Sequence, residues 1–184
     1  MARVFVVTPP QAVQQAETLD APAEADDSTL SPQERRDARL IADRLQTLIP
    51  FDSAPALYSS DLVRAAQTMG SISEAFEICP TYLGDLRAAE SGDQGQEEPE
   101  AVRERVERAY SAVTMIEADP ADDRIVVTHG ATLSWVVAAW LRIPIEACLY
   151  SSFHVRDGSI TVLEETGDRG RVLRALGDCA HLMA

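Results

Sequence analysis

Residues 124–132 read RIVVTHGAT, and residues 3–11 read RVFVVTPPQ. Each stretch opens on an arginine, runs through apolar residues that are mostly β-branched, reaches a threonine and then breaks. The break is His129-Gly130 in the later stretch and Pro9-Pro10 in the earlier one. Runs that are apolar at every position suit strands covered on both faces, as in the middle of a parallel sheet. Two such strands ending so differently raise one question, which is what chemistry the histidine keeps and the prolines forbid.

Between them the pattern alternates. The segment QAVQQAETL after the first strand looks helical, and an acidic, proline-containing loop, DAPAEADDST, follows. SPQE then opens a helix. Ser31 caps it, Pro32 suits the first helical position and Glu34 completes a capping box. Ala38, Ile41, Ala42, Leu45 and Leu48 fall on one face behind it. Ala56–Ser59 reads as a short strand, with Ser60 or Asp61 capping a helix that runs to about Phe76. GDLRAAESGDQGQEEPE is an acidic, Gly-containing loop or flap. From Pro99 a long amphipathic helix turns Val102, Val106, Ala109, Val113 and Ile116 inward. The helix TLSWVVAAWL after His129 is apolar nearly all round, which requires deep burial. CLYSSFHV, an Asp157-Gly158 turn and SITVLEE together suggest an antiparallel hairpin at a sheet edge.

Strands alternating with helices predict an α/β fold. The expected form is a three-layer sandwich, with a mostly parallel central sheet flanked by helices and an antiparallel strand at its edge. A chain of 184 residues is expected to form a single domain over residues 1–184. In such sheets ligands sit beyond the carboxyl ends of the strands. The breaks after VFVV and RIVV and the SSD after PALY all lie at such ends.

The formal net charge of −14 argues against nucleic acid or an anionic membrane as partner, since phosphate backbones are held mainly by clustered Lys and Arg. It leaves room for a small anionic metabolite, which needs only a local positive pocket, or for a protein partner. No apolar run is long enough to cross a bilayer, and no signal peptide is evident. Cys79, Cys148 and Cys179 are widely spaced and form no C-x-x-C pair, so free thiols in a cytoplasmic protein are expected, with no metal and no cofactor.

Arg64 stands one turn into its helix. Alone it is better explained by a structural salt bridge than by a ligand, and a lone His129 equally well by a hydrogen-bonded core position. Together, at a helix start and a strand end, they would suit an anion site, although two residues alone do not decide it.

Order and spacing add more. DSTLSPQERRDARLIADRL is similar to the D-x-P-L-T-x-x-G-x-x-Q-A helix of the histidine phosphatase superfamily (phosphoglycerate mutase-like), with Glu34 where glycine usually stands. LYSSDLVRAAQTM resembles its S-S-P-L-x-R-A-x-Q-T segment, with Asp61 in place of the proline. IVVTHGATLSWVVAAWL resembles its V-x-H-G segment and buried helix, and DGSITVLE its closing strand. The resemblance covers nearly the whole chain, although the long insertions of the mutases are missing. It implies that the first strand should end in Arg-His-Gly, whose histidine takes the phosphoryl group. Here those positions are Thr8, Pro9 and Pro10. It also implies a proton-donating glutamate in an L-x-E segment of the flap, where Leu86-Arg87 is followed by Ala88, with Asp85 and Glu90 nearby.

Phosphoryl transfer to the enzyme needs a basic atom in line with phosphorus, and a proline nitrogen in a peptide bond offers none. Thr8 removes a fixed positive charge, and the two prolines remove backbone donors. The expectation is a divergent member without the nucleophile, a non-catalytic binder of a small phosphorylated or carboxylated ligand or of a protein, through Arg64, His129 and Thr8. One alternative is a repurposed enzyme with His129 as general acid or base and Arg64 holding an anionic substrate. Asp61, Asp85 and Glu90 are then candidate partners of His129. A second alternative is weak residual phosphatase activity. His154 is expected in a strand and His181 in the tail, with no role assigned to either.

Overall fold

The computed structural model describes residues 2–11, 29–88, 99–148, 150–168 and 170–183. The helical reading of residues 11–19, the acidic loop after it and Glu90 therefore lie wholly or mostly outside the described residues.

Six strands form one sheet in the order β3-β2-β4-β1-β5-β6. They are β1 (Arg3–Val7), β2 (Ala56–Ser59), β3 (Thr81–Tyr82), β4 (Asp123–Val127), β5 (Ile160–Glu165) and β6 (Arg171–Asp178). The first four run parallel, and β5 is antiparallel to both β1 and β6. The helices are α1 (Pro32–Leu48), α2 (Val63–Phe76), α3 (Pro99–Ala118), α4 (Gly130–Trp140) and α5 (Ile145–Cys148). The expected α/β architecture, with its mostly parallel sheet, is the one observed.

The period-2 geometry of a strand explains why β1 is apolar throughout. Val4 and Val6 enter the core shared with α3 and α4, whereas Phe5 and Val7 enter the core shared with α1 and α2. Ile125, Val126 and Val127 of β4 divide in the same way. On α4 every residue from Thr132 to Trp140 is buried, as its uniform apolarity required. Among the described residues no helix is long and apolar enough to cross a membrane.

The hairpin differs from the sequence expectation. SITVLEE pairs with the later strand β6, not with CLYSSFHV. Cys148 ends a helical turn, and residues 151–156 run as irregular chain, including His154. The backbone N–H of Phe153 is taken by the hydroxyl of Ser134 in α4 at 2.7 Å, so this segment packs across the helix instead of joining the sheet.

Register fixes the functional end. Val7 and Ser59 both lie level with Val127. The ladder continues one residue further, with Thr128 N–H donating to Val7 at 3.0 Å and Ser60 N–H donating to Val127 at 2.9 Å. Thr8, Ser60 and Thr128, each the first residue past its strand, are thereby held side by side.

Candidate functional site

The Pro-Pro turn after β1 is seated in the fold. Thr8 is 0 % exposed; its hydroxyl donates to the carbonyl of Arg156 at 3.0 Å and accepts from Ser159 N–H at 3.1 Å. Thr8 thus ties β1 to the segment before β5. The hydroxyl is buried and spent on backbone partners, the structural use that a threonine at a strand terminus usually has. Pro9 and Pro10 are buried as well. The Pro9 carbonyl accepts from Gly158 N–H at 3.1 Å. Gly158 has φ +73°, a conformation that favours glycine; a Cβ there would also meet Leu182 Cδ1 at 2.9 Å, a contact the end of that side chain can relieve.

The tail packs under this turn. His181, expected only as a tail residue, is buried and pairs through Nε2 with the carbonyl of Gly158 at 2.9 Å. Burial pushes its pKa below the ordinary histidine value, with the Gly158 hydrogen bond and Asp178 opposing.

Arg64 reaches the same turn from α2. Its Nη2 donates to the carbonyl of Pro10 at 2.6 Å and to Oε1 of Glu34. The Glu34 carboxylate completes the capping box of α1 through Oε2, which accepts from Ser31 N–H at 2.6 Å. One turn along α2, Gln67 accepts from Leu30 N–H at 2.7 Å, so α2 holds the start of α1 at two points. Asp157 also faces this region. It is exposed as a residue, yet crowding of its carboxyl raises its pKa, while the charge of Arg64 pulls it the other way.

His129 directly precedes α4, and its carbonyl accepts from Leu133 N–H at 2.7 Å. Its Nε2 lies 3.0 Å from the hydroxyl of Ser60, which also accepts from Leu62 N–H at 3.3 Å. Ser60 thus bonds His129 and braces the turn before α2, but the N-cap of that helix is Leu62, with no side-chain cap bond, and not Ser60 or Asp61 as expected.

The start of the flap is tethered. Thr128 and Thr132 donate to the carbonyls of Leu86 and Arg87, each at 2.8 Å. Arg87 grips Asp61 with two bonds, at 2.7 and 2.6 Å, which hold the Asp61 carboxyl below its usual pKa. Of the candidate acids, Asp61 is thus engaged by a guanidinium, and Asp85 lies on the 3-10 turn Gly84–Leu86. Ser60 and Asp157 were read from sequence only as a cap and a turn residue. For Glu34 a signal did exist, a charged residue where the resemblance has glycine. Among the described residues no group of three or more His, Cys, Asp and Glu is placed to hold a metal.

The sequence profile of the histidine phosphatase superfamily (branch 1) matches residues 15–94 and 87–177. The chain belongs to this superfamily. No curated protein matches it. Among solved structures, it is similar to a mycobacterial glucosyl-3-phosphoglycerate phosphatase in complex with inorganic phosphate, at 20 % identity and TM-score 0.74, over 98 % of this chain and 99 % of that one. YhfR of Bacillus stearothermophilus aligns at 21 % identity and TM-score 0.74, over 99 % and 100 %. A mutant phosphoserine phosphatase of Entamoeba histolytica, with a histidine changed to alanine and phosphoserine bound, aligns at 15 % identity and TM-score 0.72, over 99 % and 100 %. At these identities the likeness establishes the fold.

Proposed function

We propose that this chain is a non-catalytic member of its superfamily that binds a small phosphorylated or carboxylated ligand at the carboxyl ends of β1, β2 and β4. The observation that carries the reading is Pro9. It stands where the resemblance puts the nucleophile, it is buried, and its carbonyl is held by Gly158. No side chain there can take a phosphoryl group. Arg64 supports the binding half of the reading, since its guanidinium already holds a carboxylate in the cleft wall, the geometry in which it would hold a ligand's oxygen. The Entamoeba neighbour, in which a histidine is lost and phosphoserine is nonetheless bound, is consistent with binding outlasting such a change in this fold. The three cysteines, all free, favour a cytoplasmic setting.

The test is thermal melting with inorganic phosphate, vanadate and small carboxylates. A ligand at ten times its Kd stabilises the fold by about 1.4 kcal/mol. The shift should vanish in Arg64→Ala. Equal shifts in both proteins would place the anion elsewhere and overturn this reading of the site.

A second reading has one observation in its favour. His129 Nε2 and the Ser60 hydroxyl are within hydrogen-bond reach, the arrangement by which a histidine works as general base. It ranks below the first because Ser60 is 0 % exposed. Hydrolysis of a generic aryl ester or amide, lost in both Ser60→Ala and His129→Ala, would reverse that order. Residual phosphatase activity through His129 ranks last, because its Nε2 is already engaged by Ser60.

A further inference from the structure

The guanidinium available to an anionic ligand already holds a carboxylate of the chain itself. Arg64 and Glu34 are both largely buried, with side chains 15 % and 6 % exposed. The Glu34 carboxylate is fixed from two sides at once. Oε1 accepts from Arg64, and Oε2 accepts from Ser31 N–H at 2.6 Å, within the first turn of α1, where negative charge is favoured. Carboxylate and phosphate oxygens meet a guanidinium through the same charge-assisted hydrogen bonds. The Glu34 oxygen therefore stands where a ligand's oxygen would.

We propose that Glu34 is a resident competitor in the anion subsite, so that a phosphorylated or carboxylated ligand gains Arg64 only by exchange with the Glu34 carboxylate. This rests on the reading of the cleft as an anion site and adds how that site is controlled. The capping box makes the exchange workable, because Glu34 keeps the Ser31 N–H as a partner when Arg64 turns to the ligand. The pair also sets the ligand class. A monocarboxylate offers Arg64 no more than Glu34 already supplies, whereas a phosphate monoester dianion brings more charge and more acceptor oxygens. Phosphomonoesters are the favoured class.

Calorimetric titration of the full chain with inorganic phosphate and with acetate tests this. Glu34→Gln keeps the cap, since glutamine serves the same capping position, but removes the competing charge. Phosphate should then bind at least about tenfold more tightly than to the wild type, a change of about 1.4 kcal/mol. Acetate should gain by a smaller factor. The double change Glu34→Gln with Arg64→Ala should erase both gains. Glu34→Asp, which withdraws the carboxylate by one methylene, should give an intermediate gain and serves should the glutamine variant fold poorly. Unchanged affinity in both Glu34 variants, with binding still abolished by Arg64→Ala, would overturn the competitor role while leaving the anion site standing. Binding that ignores Arg64 in every variant would overturn both.

Discussion

Nε2 of His129 lies 3.0 Å from the hydroxyl of Ser60, across the junction between the ends of β4 and β2. The same hydroxyl accepts from Leu62 N–H in the turn that leads into α2, the helix that delivers Arg64 to the Pro10 carbonyl. One small buried side chain thus holds both polar residues of the cleft in place.

Ser60→Ala should therefore lower stability by about 0.5–1.5 kcal/mol, the usual net loss of a hydrogen bond, since His129 and Leu62 are only half-buried. Equilibrium urea unfolding measures it. It should also weaken anion binding although Ser60 is no part of the Arg64 contact, and calorimetry with phosphate reads that second effect. A variant as stable as wild type would mean that the His129–Ser60 contact contributes nothing.

Gly158→Ala should cost about 1–3 kcal/mol from the positive φ alone, with the approach of Leu182 Cδ1 at 2.9 Å adding to it. Adding Leu182→Ala removes the steric part and leaves the backbone part. The double variant should melt below wild type but not below Gly158→Ala by the full cost of a second, independent change. Strict additivity would show that Gly158 and Leu182 do not meet.

The pH dependence follows from His181. Its folded pKa is depressed from the ordinary 6.5, chiefly by burial, so the unfolded chain binds the proton more readily. Its contribution is whole above about pH 6.5 and is lost as pH falls through the folded value. Asp37, Asp178 and Arg44 are the charged groups that act on it. Asp178 and Asp61, whose pKa values are lowered from 3.8, lose their stabilising share only in more acid solution. Urea unfolding of wild type should show stability falling as pH drops below about 6.5, and His181→Gln should flatten that limb. An identical slope in the two proteins would assign the limb to another group.

Restoring the lost motif should not restore a phosphatase. In the triple change Thr8→Arg, Pro9→His and Pro10→Gly, the new arginine must occupy a position that is 0 % exposed and replace a hydroxyl that serves Arg156 and Ser159. The expected acid position is still Ala88, and a missing proton donor holds the rate down by about two to four powers of ten. Assay with an aryl phosphate checks this. Turnover equal to that of a competent superfamily member would confine the divergence to the three altered residues.

Much of this site was legible in the sequence because it lies where patterns are strong. Residues 4–7 of β1 and 125–127 of β4 are apolar without a break, and two cores require that of a central strand. The α1 start was readable because cap, proline and Glu34 are adjacent in sequence. Contacts between distant segments were not. Glu34 showed as a capping residue, but its second partner lies thirty residues away on another helix. β6 was missed because none of its residues is buried and Leu176 is exposed, as in an edge strand, and the apolar residues of 148–155 imitate a strand more closely. Thr8 was ambiguous in the sequence because a threonine at a strand end looks alike whether it faces a ligand or a neighbouring turn. Only the register with Ser159 distinguishes the two.

The claim that Pro9 ends phosphoryl transfer in this chain is tested most directly by incubating the purified protein with a labelled phosphodonor and measuring acid-labile phosphate bound to it. The account predicts no adduct above background in wild type and none in His129→Ala. A stoichiometric acid-labile adduct in wild type, abolished by His129→Ala, would contradict it and make His129 the nucleophile.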